Sequence, residues 1–220
     1  MEALSQRGQY GKGGIGKWFR DFRDRKVFSL LGKNWHRIID LGCGEGITLE
    51  KLVREFSDKE CLGIDITWQS LKTCRHHQLQ VICGDVTRLG FKPESVDHCL
   101  LLDVIEHIHE PEKVLEEVLR ILKPDGSLIL VFPNDVMFFL ARLLFLKFRE
   151  AFYDAGHVRQ FRPKGMKALL KSKGFRVDRL MNLPFFVQPI SLYHLIQVRK
   201  GPAEGRRTGP EEKEKRPKGC

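Results

Sequence analysis

The sequence predicts an α/β fold: a doubly wound, mostly parallel, seven-stranded sheet with helices on both faces. Three observations carry this. Short apolar runs alternate with helical patterns from Arg37 to Phe132. The runs are continuously apolar, as strands must be when helices cover both faces of their sheet. The first run ends in a glycine-rich turn, Asp40-Leu41-Gly42-Cys43-Gly44-Glu45-Gly46, that leads directly into a helical pattern. Such a turn aims backbone N–H groups and a positive helix end at a ligand.

In chain order, WFRDFRDRKVFSLLG at 18–32 reads as a helix, HRIIDL at 36–41 as a strand and EGITLEKLVREF at 45–56 as a helix. CLGIDI at 61–66 is a strand, 67–77 a polar helix, and LQVICGD at 79–85 and SVDHCLLL at 95–102 are strands. PEKVLEEVLRILK is a helix with Pro111 in its first turn and Val114, Leu115, Val118, Leu119, Ile121 and Leu122 on one stripe. The turn Lys123-Pro124-Asp125-Gly126 ends it, and SLILVF follows as a strand. Residues 135–148 form a helix that is apolar nearly all round, apart from Arg142 and Lys147. PKGMKALLKSKG at 163–174 is a helix, and FRVDRLM and SLYHLIQVR are the last strands. The expected organisation is a flexible lead-in at 1–16, one domain at 17–199, and a charged tail at 200–220. That tail is too polar to offset its ordering entropy, so it is expected to be disordered.

The 220 residues, 42% of them hydrophobic, suffice for one large domain with a real core. No stretch reaches the roughly 18 apolar residues of a membrane span, and the first residues lack a signal peptide's apolar centre. A cytoplasmic protein is expected, with peripheral contact to the inner membrane face as an option. A net charge of +10 admits nucleic acid or an anionic membrane as partner, but much of it lies in 17–26 and 200–219, where a solvated surface explains it. Six cysteines without a C-x-x-C pair argue against a disulfide framework and against a metal site; reduced thiols are expected.

The glycine spacing separates two cofactor classes. A dinucleotide fold uses G-x-G-x-x-G; here Gly42, Gly44 and Gly46 give G-x-G-x-G, and Ile47 stands at the third dinucleotide glycine. Asp40 adds a carboxylate that is unfavourable beside a pyrophosphate and useful beside an ammonium group. S-adenosylmethionine carries an ammonium and a sulfonium.

At these residues the chain resembles the class I, Rossmann-like, S-adenosylmethionine-dependent methyltransferases, over roughly residues 36 to 180. The resemblance implies that Asp40, Gly42, Cys43, Gly44 and Gly46 surround the methionine part and ribose of S-adenosyl-L-methionine. It implies that Asp65, with Ile66 beside it, takes the ribose hydroxyls, and that Asp85 and Val86 meet the adenine. Leu102 ends the fourth strand beside the same ligand. An acid at Asp65 alone also suits NAD, so the conjunction of Asp40, Asp65 and Asp85 carries the assignment.

The segment Asp103-Val104-Ile105-Glu106-His107-Ile108 resembles the V-L-E-H-V segment of methyltransferases acting on small molecules and lipids, such as the ubiquinone and menaquinone biosynthesis group. No N-P-P-Y or D-P-P-Y motif of the amino-methylating nucleic-acid enzymes is present. Methyl transfer is an in-line displacement in which positioning supplies most of the acceleration and a base is optional. Candidate bases are His107, Asp103 and His157, with Glu106 and His109 behind them. Gly156-His157-Val158-Arg159-Gln160-Phe161 resembles the H-x-R-x-F of small-molecule members, which makes His157 and Arg159 substrate candidates. The oily segments at about 135–160 and 183–190 fall where such enzymes build a substrate cap, so the expected acceptor is a small apolar or lipid-like molecule. Two rivals are an RNA or protein methyltransferase using the basic surface, and a non-catalytic S-adenosylmethionine-binding regulatory or partner subunit. Gly11 to Lys17 satisfies G-x-x-x-x-G-K, but Trp18 replaces the required Ser or Thr and no strand precedes it, so a phosphate loop is rejected.

Overall fold

The computed structural model describes residues 7, 8, 14–134, 158–183 and 191–201. Its elements are α1 (Ile15–Phe28), β1 (Arg37–Leu41), α2 (Ile47–Glu55), β2 (Glu60–Asp65), α3 (Trp68–His76), β3 (Val81–Cys83) and β4 (Val96–Leu102). A 3-10 turn (Ile105–His107) leads to α4 (Pro111–Ile121), β5 (Leu122–Pro133), α5 (Pro163–Ser172), β6 (Phe175–Leu183) and β7 (Tyr193–Lys200). The apolar helix expected at 135–148 lies outside the described residues, as does 184–190.

The described strands form one sheet of order β3-β2-β1-β4-β5-β7-β6. All pairs among β1 to β5 are parallel, and β7 runs antiparallel between β5 and β6. The chain winds outward from β1 to β2 and β3, then returns to place β4 on the other side of β1. The carboxyl ends of β1 and β4 therefore flank the reversal point, where open α/β sheets form their ligand crevice.

Strand parity distributes the core. Ile39, Leu41, Leu101, Leu128 and Leu130 face one layer, where Val114, Leu115, Val118 and Ile121 of α4 and Met166 and Leu170 of α5 cover them. Ile38, Leu100, Leu102, Ile129 and Val131 face the other, covered by Phe19, Val27 and Phe28 of α1, Leu49 and Leu52 of α2 and Cys74 of α3. Asp40 has the parity of Ile38, so its side chain turns toward the layer that holds α1 and α2.

Two elements depart from the sequence-based expectation. The helix expected to run to Lys123 stops at Ile121, because Leu122 is already extended (ψ 134°) and pairs with Val96. Pro124 favours that extended entry by excluding helical geometry at Lys123. The third strand is three residues long rather than seven, an edge strand with Ile82 and Cys83 exposed.

Candidate functional site

The three loop glycines have φ of 75°, 53° and 74°, all left-handed, which explains why glycine recurs at every second position. They serve different neighbours. A Cβ on Gly42 would lie 2.5 Å from a methyl carbon of Val104, and one on Gly46 would lie 2.6 Å from Leu79 and 2.8 Å from Cys74 Sγ. Gly46, expected from sequence at the ligand, packs at the entry of α2 and does not line the cleft. The Gly44 N–H donates to Asp65 Oδ2 at 2.8 Å, which ties the loop to the end of β2.

Above the carboxyl ends of β1, β2 and β4 lies a cleft of about 1140 Å³. It gathers Asp40, Gly42, Cys43, Gly44, Asp65, Ile66, Asp85, Val86, Leu102, Asp103 and His107, all expected at the site from sequence. A recess of about 400 Å³ beside Trp18 and Lys51 lies elsewhere along α1 and contains none of them.

Asp40 is 3% exposed. Burial pushes its carboxyl up to about 7, against the pull of Arg23 and with the help of Asp24 and Asp65. Asp65 accepts the Gly44 N–H on one oxygen and the Thr67 N–H on the other at 2.7 Å, leaving each oxygen a lone pair for a ligand. Asp85 accepts the Thr87 N–H at 2.8 Å, and that bond holds its carboxyl below the usual range. Between these two acids Ile66 stands 71% exposed, an apolar side chain at a cleft rim.

The cleft also contains a buried ion network that the sequence-based site map lacks. Arg23 of α1, 5% exposed, donates to Asp103 Oδ2 at 2.5 Å, to Asp24 Oδ1 at 2.9 Å and to Thr48 Oγ1 at 3.1 Å. Lys51 of α2 donates to Asp24 at 2.6 Å. The helix over the cleft is therefore pinned both to the end of β4 and to the helix that follows the glycine loop. Phe19, Arg23 and Val27 recur every four residues on one face of α1, so the detectable signal was a cation on an otherwise apolar stripe. Tyr193, at the start of β7, stacks on Phe19 with centroids 4.9 Å apart and also lines the cleft. Nothing local in sequence announces it.

Among the candidate bases, Asp103 lines the cleft but is held in an ion pair. Its Oδ2 is held by Arg23, its Oδ1 is enclosed without a hydrogen bond, and its backbone takes the left-handed φ of 59°. Burial raises its carboxyl above the usual range and Arg23 opposes that. It anchors α1 at the cleft wall. Glu106 is buried at 2% exposure, and its carbonyl accepts the N–H groups of Val158 and Arg159 at 2.9 and 3.2 Å. His107 and His109 are exposed on the cleft wall. Arg159, a substrate candidate from sequence, pairs its guanidinium with Glu112 at 3.1 Å in the first turn of α4 and does not line the cleft among the described residues. His157 lies outside the described residues, as does most of the expected substrate cap.

Residues 39–130 match a family model described as a methyltransferase domain. The mitochondrial ubiquinone biosynthesis O-methyltransferase of Schizosaccharomyces pombe is 29% identical over 170 residues, 73% of this chain and 56% of its own. The corresponding protein of Neisseria meningitidis serogroup A is 32% identical over 105 residues, 44% of this chain and 42% of its own. The chain thus spans about half the length of these curated relatives. A crystal structure of a Pyrococcus horikoshii protein superposes with a TM-score of 0.68 at 22% identity, covering 86% of this chain and 92% of the other, which supports the fold.

Proposed function

From a chain whose residues 39–130 match a methyltransferase-domain model and whose fold is that of the superposed structure, we propose that the protein binds S-adenosyl-L-methionine and transfers its methyl group to a small, apolar or lipid-like acceptor. The observation that carries this is the convergence of Asp40, Asp65 and Asp85, from the ends of β1, β2 and β3, on one cleft with Ile66 exposed between two of them.

The residues present fit the cofactor. Asp40 offers a buried carboxylate to a cationic amine, Asp65 offers spare lone pairs to vicinal hydroxyls, and Ile66 and Val86 offer apolar surface to a flat base. When bound, S-adenosylmethionine supplies a methyl group already activated on a sulfonium. The chain's own work is then positioning and desolvation: α1 covers the cleft, Phe19 and Tyr193 wall it, and Arg23 holds α1 in place. His107 is the proposed proton acceptor for a hydroxyl or acidic carbon, since its ring stands on the cleft wall while both oxygens of Asp103 are engaged or enclosed.

The apolar acceptor is supported by Phe19, Ile108, Pro133, Leu192 and Tyr193 along the cleft and by the named activity of the two relatives. Among the described residues no helix is long and apolar enough to cross a membrane. The test has two stages. Calorimetry should show S-adenosylhomocysteine binding and no NAD binding, and Asp65→Ala should abolish that binding in a folded protein; normal affinity in the variant would overturn the site map. Incubation with methyl-labelled cofactor and fractionated cell extract should then place label in the lipid or small-molecule fraction, whereas label in RNA or protein would reject the proposed acceptor class.

A further inference from the structure

Two thiols meet at the glycine loop. Cys43 belongs to the loop and lines the cleft, while Cys74 is fully buried on α3. Their sulfurs approach one backbone atom: Sγ of Cys74 donates to the Gly44 carbonyl oxygen at 3.2 Å, and Sγ of Cys43 lies 3.8 Å from the same oxygen. Glycines make the room. A Cβ on Gly63 would come within 2.7 Å of Cys43 Sγ, and one on Gly46 within 2.8 Å of Cys74 Sγ. The thiols also influence each other's ionisation. Each is the other's hydrogen-bond partner, so the pair loses its first proton with a stabilising neighbour beside the sulfur left behind. Cys43, at the cleft wall, is the thiol that a peroxide reaches, and the buried Cys74 is its resolving partner.

We propose that Cys43 and Cys74 are a redox-sensitive pair, converted by a peroxide into a disulfide that distorts the glycine loop and weakens ligand binding in the cleft. The effect on S-adenosylmethionine rests on the function proposed above; the disulfide itself does not. Cys43, as the thiolate, attacks one oxygen of hydrogen peroxide, the O–O bond breaks, and the hydroxide that leaves takes up the proton Cys43 had released to become water. The Cys74 sulfur then attacks the Cys43 sulfenic sulfur as it gives up its own proton. An S–S bond forms, the S–O bond breaks, and the departing hydroxide takes up the proton Cys74 had released, giving a second water. Two thiols are oxidised, and one peroxide is reduced.

The structural consequence follows from the shared carbonyl. An S–S bond of about 2.05 Å ends the donation from Cys74 to the Gly44 carbonyl and moves the residue beside it. The Gly44 N–H is what ties the loop to Asp65, so the loop and that carboxylate shift together.

The full chain, treated with millimolar hydrogen peroxide and alkylated, should yield a linked peptide pair containing Cys43 and Cys74, released by dithiothreitol and detected by mass spectrometry. Cys74→Ser should remove the link. Cys83→Ser, which deletes an exposed thiol at the sheet edge, should leave it. The oxidised protein should bind S-adenosylhomocysteine at least tenfold more weakly than the same sample after reduction, and amide hydrogen exchange over residues 42–46 should change. A missing link in a sample whose Cys83 is oxidised overturns the pair; a link with unchanged exchange overturns its effect on the loop. If the reduced protein binds no S-adenosylhomocysteine, the methyltransferase proposal fails, while the link and the exchange still judge this one.

Discussion

Asp40 sits where strand parity aims it at α1, and its carboxyl is held near 7 by burial. A cationic amine bound beside it favours the ionised form, so binding releases a proton whenever the free carboxyl is protonated. The affinity for S-adenosylhomocysteine should therefore rise with pH by up to about tenfold per unit below 7 and level off above it, as calorimetry across a pH series would show. In Asp40→Asn the slope should disappear together with most of the affinity. Gly42 is a second residue with a defined effect. An alanine there meets Val104 at 2.5 Å in a left-handed backbone, so Gly42→Ala should destabilise the domain by about 2 kcal/mol. Part of that loss should return in the double variant with Val104→Ala, read by urea unfolding; strict additivity would locate the strain elsewhere. The acids and glycines of the site were legible residue by residue because each ends a recognisable strand. Whether each faces ligand or packing was not, since Gly42, Gly44 and Gly46 look alike in sequence and meet different neighbours.

At the scale of elements, α1 was readable as a helix from its apolar spacing, but its anchorage was not. Arg23 links α1 to Asp103, eighty residues away, and through Asp24 to Thr48 and Lys51 of α2. Removing one partner of such a buried pair leaves the other charge unpaired, so Arg23→Met should lower stability by about 3 kcal/mol. It should also raise hydrogen exchange across residues 18–28 more than across β4, and uniform exchange would mean that α1 does not depend on the pair. The close of α4 at Ile121 was decided by a competition invisible to periodicity. Leu122 fits the apolar stripe, yet the position before Pro124 and the pairing with Val96 draw the chain into β5.

At the scale of the whole molecule, two buried groups oppose each other in pH. Asp40 has a folded value of about 7 against 3.8, so the stability it contributes is present in acid and is lost as pH rises toward and through 7, about 4 kcal/mol in all. His98 is held down to about 4 from 6.5 by burial, with its Nδ1 2.9 Å from Ser127 Oγ. Its contribution is present above 6.5 and is lost as pH falls through 4, about 3 kcal/mol in all. Between about pH 4 and 6.5 the two slopes largely cancel in the ligand-free protein. Asp40→Asn should expose the histidine limb as a fall in unfolding free energy between pH 6.5 and 5, and a flat profile in that variant would show that His98 is not buried neutral.

The sequence by itself determined the strands, the order of helices between them, and the acids and glycines at three strand ends. These are local signals: a continuous apolar run, a period near 3.6, a turn residue in a required φ. Only the tertiary structure decided that Gly46 packs on Leu79 rather than lining the cleft, that Asp103 is spent on Arg23, that Arg159 turns to Glu112, and that Tyr193 closes the wall against Phe19. Each of those outcomes depends on a partner from another element, and hydropathy patterns carry no record of which distant group a charge or ring will meet.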